Sequence, residues 1–194
     1  MKKLLAVAFA ALCVPGIAAA QDEQNEVTHK FSGARVEARI GYETPTVTVD
    51  GDDDVYKIGS AVSYGGEIGF DIRADKVVLG PYVNYEFSGV DLCDGGTCLG
   101  EKGNLSVGAR IGAIVGSKGL IYGKIGYASI EIEAEAEGES GSESKGGVQG
   151  SLGFEFGFGR NAYGFLEGSY ADYGDFYGLN LQRRQVVGGV GFRF

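Results

Sequence analysis

The sequence has no long apolar run beyond its first 20 residues, and this absence excludes one large class of protein. No later segment of the 194-residue chain approaches the 18 or more consecutive apolar residues of a membrane-spanning helix. Without such helices, a chain spans a bilayer only as a closed β-barrel, because lipid cannot satisfy an unpaired backbone. A soluble domain and an outer-membrane barrel therefore remain.

Histidine is nearly absent as well, and its scarcity counts against an enzyme. His29 is the only histidine, and serine or cysteine nucleophiles usually depend on a histidine base. Paired Asp and Glu side chains could act as acid and base, but the sequence indicates no substrate pocket for them. We predict no catalytic residues, no cofactor and no metal site.

Basic residues are outnumbered by acidic ones. The chain has 17 Lys and Arg against 26 Asp and Glu, which gives a formal charge of −9. Loss of Lys2 and Lys3 with the export signal described next takes that charge from −9 to −11. So acidic a chain repels phosphates, which excludes nucleic acid as an expected partner.

Residues 1–20 are predicted to be a cleaved export signal and not part of the fold. Lys2 and Lys3 precede the apolar run LLAVAFAALCV, which is too short for a membrane span, and small residues precede a cleavage point before Gln21. Cys13 leaves with this signal. Residues 21–31 then form a short N-terminal segment, and residues 32–194 form the main domain.

Eight stretches of the remaining chain alternate apolar and polar residues with the period of two that is typical of β-strands. They cover residues 34–43, 61–72, 76–88, 104–115, 120–130, 148–158, 162–173 and 183–194. The short turns RADK, GSKG and GRNA alternate with longer polar connections, among them TVDGDDDV, VDLCDGGTCLGEKG and EAEAEGESGSESKGG. This pattern predicts an all-β fold, an eight-stranded antiparallel up-and-down barrel.

Alternation alone leaves open which face points outward, because a lipocalin-like carrier buries its apolar face and a membrane barrel exposes it. The polar face is rich in glycine, which suits a crowded barrel interior. It also carries charges of both signs, which can pair with one another in a confined lumen. These features favour a transmembrane barrel with the lumen charges Arg35, Glu37, Arg39, Glu67, Asp71, Glu86, Arg110, Lys124, Glu155, Glu167 and Arg193.

Aromatic residues near the predicted strand ends also favour a membrane barrel, since Tyr and Phe form its interfacial girdles. The predicted girdle residues are Tyr42, Phe70, Tyr85, Phe87, Tyr127, Phe158, Tyr163 and Tyr173. At the end of the chain, in VVGGVGFRF, we expect Phe192 and Phe194 to face lipid and Arg193 to point into the barrel.

In their order along the chain, SYGGEIGFDI, LIYGKIGYA, YADYGDF and GGVGFRF resemble the small eight-stranded outer-membrane barrels, the OmpA-like and opacity-protein family. This resemblance covers the chain from about the first strand to the end. It implies an outer-membrane location, lipid as the environment, and a role in envelope integrity or adhesion. It also implies that the barrel-assembly machinery reads the last strand through Gly189, Phe192 and Phe194. Val187 departs from the family pattern, which usually has a polar residue there.

Cys93 and Cys98 flank the sequence DGGT in one long connection. Export to an oxidising compartment favours a disulfide between them, and the alternative, a metal site, lacks a nearby histidine. The acidic runs at residues 50–54 and 131–139 are expected to be solvated loops, with divalent-cation binding as the alternative.

The sequence as a whole predicts a monomeric outer-membrane barrel with a closed, charge-paired lumen. Its acidic loops would face outside the cell, where they could meet an extracellular ligand or surface. A small passive porin-like channel is the first alternative function, and a soluble lipocalin-like carrier is the second.

Overall fold

The computed structural model describes residues 31–49, 55–57, 60–89, 91–94, 97–136, 139–176 and 179–194. The described residues contain the strands β1 (Gly33–Val49), β2 (Val55–Lys57), β3 (Ala61–Ala74), β4 (Val77–Ser88), β5 (Asp91–Asp94), β6 (Thr97–Val115), β7 (Gly119–Ala136), β8 (Glu139–Gly157), β9 (Ala162–Phe176) and β10 (Leu179–Arg193). The predicted export signal, His29 and the acidic run at residues 50–54 lie outside the described residues.

The eight long strands form one closed antiparallel sheet. Its order is β10, β9, β8, β7, β6, β4, β3 and β1, and β10 pairs again with β1. This closing seam runs from Arg35 opposite Arg193 to Val49 opposite Leu179. The predicted eight-stranded up-and-down barrel is confirmed. In the part of the chain that the structure describes, no helix has the length and apolar character needed to span a membrane.

The three predicted short turns lie together at one end of the barrel, called the turn end below. They join β3 to β4, β6 to β7 and β8 to β9. Asp75, Gly116 and Gly159 have positive φ angles of 54°, 68° and 97° in these turns. Glycine adopts this region freely and aspartate tolerates it, so these residues allow the tight reversals. The four remaining connections lie at the opposite end, called the hairpin end.

The interpretation of residues 133–147 as a loop is wrong, because most of these residues extend β7 and β8. The two strands stay paired up to Ala136 opposite Glu139. Glutamates alternate with Ile130, Ile132 and Ala134 there, and this period of two is typical of a strand. The acidic composition of the segment suggested a loop instead. The connection around the two cysteines is likewise shortened, since β5 pairs with β6 from Asp91 opposite Gly100.

The apolar face of the strands points outward, and the polar face lines the lumen. Ile40, Ile68 and Ile125 are 60 %, 61 % and 66 % exposed, whereas Arg35 and Arg110 are only 2 % and 1 % exposed. An outer surface this apolar suits lipid and not water. The soluble lipocalin-like alternative is therefore wrong, because a carrier of that kind would turn its apolar face inward.

The girdle prediction is wrong for two of its eight aromatic residues. Tyr163 and Tyr173 are 1 % and 2 % exposed and lie inside the barrel. Each is an even number of residues from Glu167 on β9 and therefore shares its inward face. The other six face outward: Tyr42, Phe70, Tyr85, Phe87, Tyr127 and Phe158.

Candidate functional site in the charged lumen

Charged side chains line the interior of the barrel and alternate along the strands with lipid-facing ones. All eleven residues that the sequence suggested as lumen charges lie inside, each at most 7 % exposed. Glu43 and Arg183 lie there too and were missed, although their position along β1 and β10 puts them on the same face as Arg39 and Arg193. The described lumen thus holds seven carboxylates and six cations.

Nearest the turn end, two arginines face two carboxylates. Arg193 Nη1 lies 2.7 Å from Glu155 Oε1, and Arg193 Nη2 lies 2.8 Å from Asp71 Oδ2. Arg110 contacts the same two carboxylates at 2.7 Å and 3.4 Å. The four residues come from β10, β8, β3 and β6, none of which neighbours another in the sheet. These ion pairs therefore cross the lumen and join separate parts of the wall.

Arg39 occupies the middle of the lumen and is the most connected charge. Its guanidinium contacts four carboxylates at distances from 2.7 to 3.3 Å, those of Glu167, Glu37, Glu67 and Glu86. Lys124 is a second cation in this layer, with Nζ 2.7 Å from Glu67 and 2.6 Å from Glu167. Two cations thus share a group of carboxylates that would otherwise repel one another.

A third layer lies toward the hairpin end. Arg183 pairs with Glu43, and its Nη2 lies 3.2 Å from Glu86 Oε2. Gln185 Nε2 donates hydrogen bonds to Glu86 at 2.7 Å and to Ser63 Oγ at 2.6 Å. Every lumen carboxylate in the described residues therefore takes part in at least one ion pair.

Tyrosines fill the space between the charged layers. Tyr122 donates its hydroxyl to Glu167 at 3.0 Å, and its ring lies 3.8 Å below the Arg110 guanidinium. Tyr163 donates to Glu37 at 3.0 Å and stacks with Arg193 at 4.7 Å. These contacts combine hydrogen bonding with cation–π attraction in a desolvated space.

Apolar clusters cover the charged layers from both sides. At the turn end the cluster consists of Phe31, Val78, Leu120 and Tyr122. Toward the hairpin end it consists of Ala128, Ile130, Ala171, Tyr173 and Leu181. Phe31 precedes the first strand, so strand alternation does not place it in the turn-end cluster.

Residues 4–194 match the family described as outer membrane protein beta-barrel domain. The chain belongs to this family. As an outer-membrane barrel it lies in the outer membrane with its apolar face in lipid. No curated protein sequence matches the chain. The described residues contain no group of three or more His, Cys, Asp or Glu side chains arranged to hold a metal ion.

Solved outer-membrane barrels share the architecture at low sequence identity. The attachment invasion locus protein Ail of Yersinia pestis, solved in complex with the heparin analogue sucrose octasulfate, is 15 % identical with a TM-score of 0.56, over 82 % of this chain and 99 % of Ail. Neisserial surface protein A is 14 % identical with a TM-score of 0.54, over 84 % and 99 %. OprG from Pseudomonas aeruginosa is 13 % identical with a TM-score of 0.51, over 87 % and 98 %. At these identities the likeness shows the fold alone.

The last strand of this outer-membrane barrel alternates as the sequence suggested. Phe192 and Phe194 are 44 % and 72 % exposed and form an edge-to-face pair at 5.2 Å, whereas Arg193 is 2 % exposed. A Cβ at Gly189 would come within 2.7 Å of the Phe165 ring. Glycine at that position therefore has a packing reason that is separate from any assembly signal.

Two cysteines lie opposite each other in a short ladder at the hairpin end. Cys93 of β5 is in register with Cys98 of β6. Their side chains lie outside the described residues, so the disulfide stays a prediction.

Proposed function

We propose that this outer-membrane barrel is a non-conducting anchor that holds its hairpins outside the cell, in a structural or adhesive role. The observation that supports it is the lumen, where ion pairs cross between separate strands and apolar clusters cover both sides. Eight strands leave an interior just wide enough for side chains to fill. A continuous water column would require these pairs to part, leaving buried charges uncompensated. The alternative of a passive channel has no comparable support.

The length of β7 and β8 supports the presentation of a surface outside the lipid. Among the side chains that the structure describes, the last outward apolar ones toward the hairpin end are Tyr127 on β7 and Val148 on β8. The paired ribbon continues from Ala128 to Ala136, which is about 26 Å along the strand at roughly 3.3 Å per residue. Because the ribbon begins where the outward apolar residues end, it projects beyond the apolar band, which is about 25 Å tall in such barrels.

A cysteine-labelling experiment tests this orientation. Ser142 lies on the β8 part of the ribbon, and Ser117 lies in a turn at the opposite end. We expect Ser142→Cys, in a chain with Cys93 and Cys98 replaced by serine, to react with a membrane-impermeant maleimide on intact cells. The matched Ser117→Cys variant should react only after the outer membrane is opened. The reverse pattern would contradict the proposal.

The acidic hairpin end suggests the chemistry of a surface partner. Ail was solved with a sulfated heparin analogue, but this chain carries acidic runs at residues 50–54 and 131–139. We propose that its partner is a basic surface, because opposite charges steer association. Protein in lipid nanodiscs should adsorb to polylysine and not to heparin, and a preference for heparin would overturn this choice.

Three further proposals concern maturation. The chain starts at Gln21 after export, and the mass of the exported protein checks this start.

Cys93 and Cys98 form a disulfide, which stabilises the fold by about 2 kcal/mol for so small a loop. Labelling of both thiols in unreduced protein would exclude it. The assembly machinery reads Phe194, so its deletion should lower the membrane level more than the level of synthesis. The register of Cys93 opposite Cys98 supports the disulfide, and the exposed ring of Phe194 supports the assembly signal.

A further inference from the structure

Part of the lipid-facing surface lacks large side chains. An open groove of about 820 Å³ crosses β8, β9 and β10. Gly150 and Gly168 form its floor, and its walls include the outward side chains of Leu152, Tyr170 and Val186. Inward-facing residues also border the groove, because the two glycines leave only backbone between it and the lumen: Lys124, Ser151, Ser169 and Gln185.

The glycines of this groove are not required by the packing of the barrel. A Cβ at Gly150 or Gly168 would meet no atom within 4 Å. Glycine inside a strand weakens it, because it loses more backbone entropy and has no side chain to pack. The space that these two residues create opens toward the membrane, where only a lipid or another protein can fill it.

An arginine lies at the hairpin-end limit of the groove. Arg184 is exposed, borders the groove, and sits opposite Tyr170 on β9 and Thr44 on β1. Among the described residues it has no ion-pair partner, whereas the adjacent Arg183 points inward and pairs with Glu43. A guanidinium at the edge of an apolar surface is suited to bind a phosphate.

We propose that this groove binds one acyl chain of a phosphate-bearing lipid of the outer leaflet, with the lipid phosphate at Arg184. The apolar floor and walls match a hydrocarbon chain, and the guanidinium of Arg184 matches an anionic headgroup. A second copy of the chain fits less well, because a two-fold contact through the groove would bring two Arg184 side chains together. The described end of the groove offers no carboxylate to separate them.

Native mass spectrometry of the full mature chain in detergent micelles tests the proposal, with diphosphoryl lipid A as the probe. We expect one bound lipid per chain and about tenfold weaker binding for Gly168→Leu and for Arg184→Gln, which is about 1.4 kcal/mol. Gly168→Leu should keep the difference in gel mobility between heated and unheated protein, because its side chain enters open space. The matched controls are Ala113→Leu on the lipid face of β6 and Arg160→Gln in a turn-end turn, and both should bind as the parent does.

Two further measurements separate the sources of the signal. Dephosphorylated lipid A should bind the parent protein more weakly than diphosphoryl lipid A does. This loss of affinity should equal the loss that Arg184→Gln causes in the binding of diphosphoryl lipid A. Inorganic phosphate at millimolar concentration should not displace the lipid. The proposal would be overturned if Gly168→Leu bound the lipid as the parent does, or if Ala113→Leu lost as much affinity as Gly168→Leu. It would also be overturned if free phosphate displaced the lipid, or if the protein formed a lipid-free dimer that Gly168→Leu disrupts.

Discussion

Three glycines of β8 and β9 lie on opposite faces of the barrel and have opposite surroundings. Gly153 lies inside, beneath the ring of Tyr122, and a Cβ there would overlap that ring. Gly150 and Gly168 lie outside on the same and the next strand, with no atom near an added Cβ. Gly153 thus relieves crowding in the lumen, and Gly150 and Gly168 leave room in the membrane-facing surface. The strand period of two decides which face each of these glycines lies on.

Arg183 and Arg184 show the same contrast with charge. They are adjacent in sequence, but Arg183 pairs with Glu43 and Glu86 in the lumen, and Arg184 is exposed on the outer face. Adjacent positions on a strand face opposite sides of the sheet, so Arg183 lies in the ion-pair network of the lumen and Arg184 lies on the outer surface. Identical residues on the two faces should respond differently to the same substitution.

The largest difference is expected for Arg39→Gln. This change removes the cation that contacts four lumen carboxylates and should lower the free energy of unfolding by about 3–5 kcal/mol, as for a broken buried ion pair. The outward control Arg184→Gln should stay within about 0.5 kcal/mol of the parent. Equilibrium unfolding in urea, followed by the gel mobility of unheated samples, measures both. Equal urea midpoints for the two variants would contradict the expected difference between the inner and outer arginines.

A change of opposite sign is expected for alanine at the two kinds of glycine. Gly153→Ala should destabilise the barrel by about 1–3 kcal/mol, because the added methyl group overlaps Tyr122. Gly168→Ala should stabilise it by roughly 0.5–1 kcal/mol, since it only restricts the unfolded chain. The same urea titration applies. A loss of stability in Gly168→Ala would show that this glycine has a structural role after all.

The smallest expected effect concerns one hydroxyl. Tyr163→Phe removes the hydrogen bond that the Tyr163 hydroxyl donates to Glu37 at 3.0 Å, at a cost of about 1.5 kcal/mol for a bond to a charged group. Tyr170→Phe, on the lipid face of the same strand, should change stability by less than about 0.5 kcal/mol. If both variants unfold with the parent, the inner tyrosines act only through their rings.

Alternation predicted the strands and the two faces because a period of two is a local property of the chain. It could also have placed Glu43, Arg183, Tyr163 and Tyr173 inside, had the inward parity been followed to the strand ends. The extension of β7 beyond Ile130 was hidden because every second residue there is a glutamate, a residue typical of loops. Which charges meet across the lumen depends on the register of eight strands together, and the apolar cluster around Phe31 depends on chain outside the strands.

Conductance through the unmodified protein tests the closed lumen most directly. The barrel, reconstituted in a planar lipid bilayer at neutral pH, should give no steady current, because ion pairs such as Arg110 with Glu155 and Lys124 with Glu67 cross the water path. A 16-stranded porin in the same bilayer serves as the positive control. Large, stable and ion-selective currents from the unmodified barrel would contradict the closed lumen and establish a channel.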